Sequence, residues 1–319
     1  MAQNDELTEG YKKMKKERES GYRNGVRTLI LKDSRGFIPF DGRDNIFTYY
    51  ASYSFISRAM RRIFKNLKSG FVPSVFYGEW KKHLKNAAVV ILFDCGVENA
   101  NVVARYIKSV NPSARVVFWY WNTVKPGHVI QERDCIDEVW TYNRFDAKKY
   151  GFKYNPQFYH KDLVIKNNKT YLDMVFLGTD KGRKRVLENL ANEAKKQDLK
   201  CDFVLVKTKR DNMPYKDYLK KVANSRCIID LVPRQDCGLT LRPLEALFFG
   251  KKLLTNYKDI ANYDFYDKAN VFILGKDNTE YLKDFINSPY KEIKSDIIDY
   301  YSYESWLERI EKNESTKYE

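Results

Sequence analysis

The sequence predicts an α/β protein of two domains, each built on a parallel sheet covered by helices. Its length of 319 residues is about twice that of an ordinary domain. Short apolar runs typical of buried strands alternate with segments of helical period from about residue 26 onward, as in a parallel sheet with helical connections. Hydrophobic residues make up 43% of the chain and are spread along it, which is the composition of a folded protein.

In the first half, apolar runs predict strands and amphipathic spacing predicts helices between them. The predicted strands are 26–31, 87–93, 115–121 and 138–142, and the predicted helices are 52–67 and 98–110. Residues 153–169 contain Asn155, Pro156 and a polar patch, which indicates an interdomain connection.

A second series of strands and helices follows this connection. Strands are predicted at 172–177, 202–206, 227–232 and 252–255, and helices at 183–197, 215–224 and 243–249, with a further aromatic helix at 300–310. In the first of these helices, one face carries the apolar residues Val186, Leu187, Leu190, Ala191 and Ala194.

Charge and cysteine content narrow the classes of function. The formal net charge of +15 attracts polyanions, whether nucleic acid, an anionic membrane or phosphate-bearing substrates. Five cysteines without a close pair and three histidines argue against a zinc site and a disulfide framework, so no metal site is predicted. No apolar run approaches the length of a membrane span, and the amino terminus is polar and charged. We therefore expect a cytoplasmic protein.

Residues 230–256 run from a buried strand through a glycine-containing loop into a short helix and on to another strand. Pro243 suits the first position of a helix, which places Glu245 in the first helical turn. The unpaired amides and the dipole of a helix start favour an anion such as a diphosphate. The oxygens of Glu245 can accept hydrogen bonds from the two hydroxyls of a ribose, although a carboxylate there can also merely complement the helix dipole.

This segment resembles the donor-site motif of the GT-B glycosyltransferases called group 1, in which two glutamates eight positions apart bracket a glycine-containing loop. The matching residues are Gly238, Pro243, Leu244, Glu245, Ala246 and Gly250. The resemblance assigns Glu245 to the ribose of the donor. The first glutamate of the motif falls on Cys237, beside Asp236.

A second segment, 176–183, resembles the strand, glycine and basic loop that open the donor domain of the same family. Gly178 and Lys181 match the glycine and the phosphate-binding lysine. Thr179 occupies the position of the family's arginine, for which Arg183 or Arg242 can substitute. With Glu245 these residues form the expected donor site, completed by the backbone amides of Gly238, Leu239 and Thr240.

The resemblance implies a GT-B fold, with two Rossmann-like domains facing a central cleft. It assigns residues 1–163 to the acceptor, residues 164–299 to the nucleotide sugar, and residues 300–319 to a helix that packs back on the first domain. The implied reaction transfers a hexosyl or related sugar from a nucleotide-diphosphate sugar, with a UDP-sugar expected, to a saccharide or lipid-linked acceptor. It needs neither a cofactor nor a metal, and it suggests bacterial surface polysaccharide biosynthesis.

Two residues of the first half are candidates for the base that activates the acceptor hydroxyl. Asp94 follows the strand predicted at 87–93, and His128 lies in the loop after the strand predicted at 115–121. An aspartate at the end of a strand also commonly forms a turn, so both interpretations stay open at this point.

The helix predicted at 52–67 mixes apolar residues with arginines and lysines. Such a helix can dock on an anionic membrane at the inner face of the cell, where a lipid-linked acceptor resides. It can also cover a sheet with its apolar face and leave its basic face in water, which is the more common role of such a helix.

Two rival functions remain at this stage. A basic nucleic-acid-binding protein fits the charge, but the sequence contains no recognisable reader motif, so nucleic acid is not the favoured partner. A degenerate accessory subunit that keeps the fold without catalysis fits the loss of the first glutamate at Cys237.

Overall fold

The structure, a computed structural model, describes residues 27–33, 43–67, 71–93, 97–130, 135–166, 169–206 and 213–316. The chain divides into two compact units. One comprises Met1–Tyr120 with Lys125–Val139, and the other comprises Trp121–Val124 with Trp140–Glu319. Both are α/β, as predicted.

The first sheet has six strands, and every strand pairing that the structure describes for it is parallel. The strands are β1 (Arg27–Lys32), β2 (Ile46–Thr48), β3 (Ala87–Phe93), β4 (Arg115–Tyr120), β5 (Glu138–Thr141) and β6 (Lys153–Tyr154). Their order is β2-β1-β3-β4-β5-β6. The bounds predicted for β3 are confirmed, because an apolar run that is buried on both faces is the pattern of a central parallel strand.

Two α-helices of the first unit lie in its described part, α1 (Phe55–Asn66) and α2 (Val97–Val110). The amino end of α1 is capped by Ser54, whose hydroxyl accepts a hydrogen bond from the amide of Ser57 at 3.2 Å. None of the described helices is long and apolar enough to span a membrane.

The second sheet has five parallel strands, which carry the core of the second unit. They are β7 (Leu172–Thr179), β8 (Cys201–Val206), β9 (Ser225–Asp230), β10 (Lys252–Thr255) and β11 (Val271–Ile273), in the order β11-β10-β9-β7-β8. The predicted bounds of β10 are confirmed. The prediction for β9 lies two residues too late, because the apolar run continues past the last paired residue into the loop.

Helices pack on this sheet and close the chain. They are α3 (Arg144–Tyr150), α4 (Lys184–Lys196), α5 (Tyr215–Ala223), α6 (Leu241–Phe249), α7 (Leu282–Asn287), α8 (Ser295–Tyr300) and α9 (Tyr303–Glu311). The predicted core face of α4 is confirmed in part, since Leu187, Leu190 and Ala194 are buried whereas Val186 is 40% exposed.

The carboxyl-terminal helix α9 packs on the chain that follows β6. The ring of Trp306 lies 4.3 Å from that of Phe158, and the Asn155 side chain donates a hydrogen bond to the Trp306 carbonyl at 3.1 Å. The sequence analysis counts residues 155–158 in the first domain, whereas the compact units place them in the second. Strand pairing gives a different boundary, because the first sheet ends with β6 and the second sheet begins with β7. The boundary at 163/164 and the packing of residues 300–319 on the first domain therefore stay predictions.

Candidate functional site

The strand order of the second sheet defines a topological switch point at the carboxyl ends of β7 and β9. If the five strands of this sheet are numbered 1 to 5 in chain order, their order across the sheet is 2-1-3-4-5. The chain leaves β7 toward one side of the sheet and β9 toward the other. Open parallel sheets bind ligands at such a switch point. Gly178 and Thr179 end β7 there, and Asp230 ends β9.

Two arginines from different elements converge at this switch point. Arg183 immediately precedes α4, which follows β7, and Arg242 is the second residue of α6, which follows β9. A Cβ atom added to Gly178 would lie 3.1 Å from Arg183 Nη1 and 3.1 Å from Arg242 Nη2. Both guanidinium groups therefore approach the same glycine, and a larger residue there would crowd them. They also face the ring of Phe176, whose centre lies 6.0 and 5.5 Å from their Cζ atoms.

The two guanidinium groups differ in how they are paired. Arg242 donates a hydrogen bond to the carbonyl of Leu177, and its Nη1 lies 3.9 Å from Asp230 Oδ1. Arg183 forms neither a hydrogen bond nor an ion pair through its side chain with any described residue. Burial lowers the pKa of Arg183, and the charge of Arg242 lowers it further. An anion between these two cations would remove their mutual repulsion.

Asp230 ties the loop before α6 to the end of the sheet. Its side chain is buried, and Oδ1 accepts a hydrogen bond from the Thr240 hydroxyl at 3.0 Å. Burial raises the pKa of Asp230, and Arg242 and Thr240 oppose that rise without cancelling it. The carboxylate thus holds Thr240 in place at the start of α6.

The start of α6 adds backbone donors beside Arg242. Within the described residues, the amides of residues 239–242 donate to no oxygen, and the Thr240 side chain caps none of them. The first amides of a helix have no partner inside the helix, and the helix dipole favours negative charge beside them. Two guanidinium groups and a helix start together suit the oxygens of a phosphate or diphosphate.

The glycine loop is held from behind by residues 142 and 143. Tyr142 Oη donates to the Cys237 carbonyl at 2.8 Å, and Asn143 Nδ2 donates to the Asp236 carbonyl at 2.8 Å. Gly238 has φ +72°, and a Cβ atom there would lie 3.1 Å from both of these side chains. Leu239 is fully buried in the core, so it anchors the loop through its side chain.

Glu245 lies deeper than the sequence analysis predicts. The prediction that Pro243 opens the helix is wrong, because α6 begins at Leu241 and Glu245 falls in its second turn. The carboxylate is buried, and its oxygens accept hydrogen bonds from Tyr215 Oη and Tyr218 Oη, both at 2.7 Å. Burial raises the pKa of Glu245, an effect that Arg242 and the two tyrosines reduce but do not cancel. The role of Glu245 on a ribose stays a prediction.

Cys237 stands at the position of the missing glutamate and Asp236 precedes it, and neither side chain is a free carboxylate. Burial raises the pKa of the Cys237 thiol to about 12, so this side chain is neutral and cannot replace a carboxylate. Asp236 forms an ion pair with Arg234, which lowers the pKa of Asp236.

Three further residues are predicted as site residues, namely Lys181, His128 and Asp94. Lys181 is exposed, in a turn where its φ is +43° and that of Gly182 is +81°. His128 is exposed in the first unit, and its backbone carbonyl accepts a hydrogen bond from Tyr120 Oη at 2.8 Å. Asp94 lies outside the described residues.

Three residues of the site are absent from the sequence predictions, namely Asp230, Tyr215 and Tyr218. Asp230 interrupts the apolar run predicted as strand 227–232, and a polar residue near the carboxyl edge of a parallel sheet is a usable indication of a site. Tyr215 and Tyr218 stand three positions apart on α5 and so share one face, but the sequence does not show that this face meets Glu245.

No family model matches the chain, and no curated protein matches it significantly. Among solved structures, the glycosyltransferase AviGT4, involved in avilamycin A biosynthesis, is similar with a TM-score of 0.46 and 11% identity. The match covers 74% of this chain and 76% of that one.

Proposed function

We propose that the protein is a GT-B glycosyltransferase that moves a sugar from a nucleotide-diphosphate sugar, preferably a UDP-sugar, to a saccharide or lipid-linked acceptor. The second unit binds the donor. The observation that carries this proposal is the convergence of Arg183 and Arg242 over Gly178 at the switch point of the second sheet. The resemblance of residues 176–183 and 230–256 to a donor-site motif supports it independently.

A diphosphate is the ligand that this arrangement suits best. Arg183 has no anionic partner among the described residues, and the amides at the start of α6 have no acceptor there. When the bond between sugar and diphosphate breaks, negative charge develops on the leaving phosphate oxygens. Guanidinium groups fixed beside those oxygens would lower the barrier by several kcal/mol. Arg183, Arg242 and, at the rim, Lys181 thus supply positive charge without an obligatory metal.

The ribose of the donor reaches Glu245 by taking the place of one tyrosine hydroxyl. Tyr215 is half-buried, whereas Tyr218 is buried, so Tyr215 is the partner that can yield. The ribose hydroxyls then donate to the carboxylate while Tyr218 continues to hold one of its oxygens.

The acceptor belongs to the first unit in this proposal, with Asp94 or His128 as the base that takes the proton of the attacking hydroxyl. A cytoplasmic location and a role in surface polysaccharide biosynthesis are part of the same proposal. The location rests on the lack of any apolar run long enough to span a membrane, whereas the biosynthetic role rests on the sequence resemblance alone.

A second candidate is a chain that binds the donor without transferring its sugar. The specific observation in its favour is Cys237, a neutral thiol at the position where the resemblance places a glutamate. Donor binding without transfer to any acceptor would support this candidate.

A thermal-shift screen with UDP-, GDP-, CMP- and dTDP-sugars tests the proposal, because a ligand that binds only the folded state raises its stability. We expect one nucleotide class to raise the melting temperature and the others to have little effect. The screen should include a matched arm with short oligonucleotides. Stabilisation by oligonucleotides alone, with no response to any sugar nucleotide at millimolar concentration, would replace the proposal with the nucleic-acid-binding alternative.

A further inference from the structure

Helix α1 of the first unit turns its apolar face toward the solvent and buries an arginine against the protein. The residue that it buries is Arg61, whereas its large apolar side chains face outward. Phe55 is 78% exposed, Ile56 74% and Ile63 55%. A helix that covers a sheet buries its apolar face, so this arrangement excludes the covering role that the sequence left open.

Specific polar contacts fix this orientation. Arg61 Nη1 donates to the Ser52 carbonyl and to Ser57 Oγ, both at 2.6 Å. Its guanidinium carbon lies 3.9 Å from the centre of the Tyr50 ring. Rotating the helix to bury its isoleucines would break the hydrogen bonds of Arg61 and its contact with the Tyr50 ring. The outward apolar face is therefore the one that the fold selects.

The apolar surface extends beyond the helix. The rings of Phe64 and Phe76 lie 5.7 Å apart, which brings the short 3₁₀ turn Ser74–Phe76 against α1. Val75 in that turn is 69% exposed, and Leu67 after the helix is 52% exposed. Contiguous exposed apolar residues of this kind mark a contact site for another apolar body. The surface formed by Phe55, Ile56, Met60, Ile63, Leu67 and Val75 is called the α1 surface below.

Charge indicates which body the α1 surface meets. Arg58 and Arg62 are exposed on α1, whereas residues 45–78 contain no aspartate or glutamate. Apolar side chains flanked by arginines, on a segment whose sequence contains no acid, complement an anionic phospholipid surface, which offers acyl chains beneath phosphates.

We propose that the α1 surface docks the protein on anionic membranes, with the helix lying in the plane of the lipid headgroups. Twelve residues give a helix about 18 Å long, too short to cross the roughly 30 Å hydrocarbon core. The isoleucines enter the boundary of the acyl chains while Arg58 and Arg62 remain at the phosphates. This inference is independent of the proposed donor site.

Vesicle sedimentation tests the proposal. Wild type should sediment with vesicles of phosphatidylcholine and phosphatidylglycerol, and much less with phosphatidylcholine alone, because both apolar and charged contacts contribute. The double variant Ile56→Ser/Ile63→Ser should lose at least about tenfold in partitioning, since each isoleucine forfeits its apolar burial. Arg58→Gln/Arg62→Gln should bind less and lose its preference for the anionic vesicles.

Val186→Ser is the matched control, because Val186 is 40% exposed on α4 of the second unit and lies outside the α1 surface. It should sediment as wild type does. All variants should keep the wild-type melting temperature, because the replaced side chains are exposed. Failure of the folded wild type to sediment with anionic vesicles would overturn the proposal. So would wild-type binding by the double-serine variant, or a dimer in sedimentation velocity that the double-serine variant abolishes.

Discussion

At the scale of single residues, the candidate site combines one cation that needs a partner with a carboxylate that already has two. Arg183 has no ion pair with a described residue, whereas Glu245 accepts hydrogen bonds from Tyr215 and Tyr218. The first condition favours an anionic ligand directly. The second requires an exchange of partners if a ribose is to bind.

Substitutions at this exchange point separate a binding role for Glu245 from a structural one. Glu245→Gln should lower the affinity for the nucleoside diphosphate by about tenfold, because an amide accepts fewer hydrogen bonds than a carboxylate. Tyr215→Phe should bind as well as wild type or better, since the hydroxyl that the ribose displaces is gone. Calorimetric titration measures both, with urea unfolding as the check on stability. Equal losses of affinity in the two variants would show that no such exchange occurs.

Burial of Glu245 also predicts how stability depends on pH. Its pKa is raised in the folded state above the ordinary 4.5, so the folded protein binds its proton more tightly than the unfolded chain does. The contribution of Glu245 to stability is therefore greatest below about pH 4.5 and falls as pH rises through the folded pKa. Glutamine does not titrate. The free energy of unfolding of Glu245→Gln minus that of wild type should increase from pH 4.5 to 7.5 in urea titrations, and a constant or falling difference would contradict the burial.

At the scale of elements, α6 and the loop before it set the geometry of the site. The helix starts two residues earlier than the sequence predicts, which places Leu241 rather than Pro243 at the first helical position and puts the buried Glu245 in the second turn. The sequence cannot reveal this, because the tyrosines that receive Glu245 lie 27 and 30 positions away and only the fold brings them close.

The loop geometry predicts unequal costs for two glycine substitutions. Gly238 and Gly250 have φ of +72° and +59°, so alanine is strained at both by about 1 to 2 kcal/mol. At Gly238 the added Cβ atom also crowds Tyr142 and Asn143 at 3.1 Å, whereas nothing lies within 4 Å at Gly250. Urea unfolding should show a larger loss for Gly238→Ala, along with weaker nucleotide binding. Equal losses of stability in the two variants would mean that Tyr142 and Asn143 move aside without cost.

Strands of four or more residues with a buried apolar run were predictable, and strands of two or three residues were not. The bounds of β3 and β10 follow from apolar runs buried on both faces. By contrast β2, β6 and β11 contain only two or three residues each, and their pairing depends on neighbouring strands rather than on a local pattern. The helix pattern of α1 was also visible, but which of its faces meets the protein depends on the contacts of Arg61.

At the scale of the whole molecule, the sequence predicts two α/β units with parallel sheets, and the structure confirms that level of description. The sequence motif and the strand order point to the same edge of the second sheet for independent reasons. The first reason is a resemblance of residue types along the chain. The second is the strand order of the sheet, which the motif alone does not specify. Their agreement at Gly178 and Arg242 is the strongest support for a donor site in the second unit.

The most direct test is calorimetric titration with the nucleoside diphosphate that the screen selects, comparing wild type, Arg183→Gln and Arg185→Gln. Arg185 is the matched control, because it is exposed in the first turn of α4, two residues after Arg183, and its substitution removes the same charge. The account predicts that Arg183→Gln weakens binding about tenfold to a hundredfold, the worth of one charged hydrogen bond, while Arg185→Gln binds as wild type does. Equal affinities for Arg183→Gln and wild type, or equal losses in the two variants, would contradict a diphosphate site at the switch point.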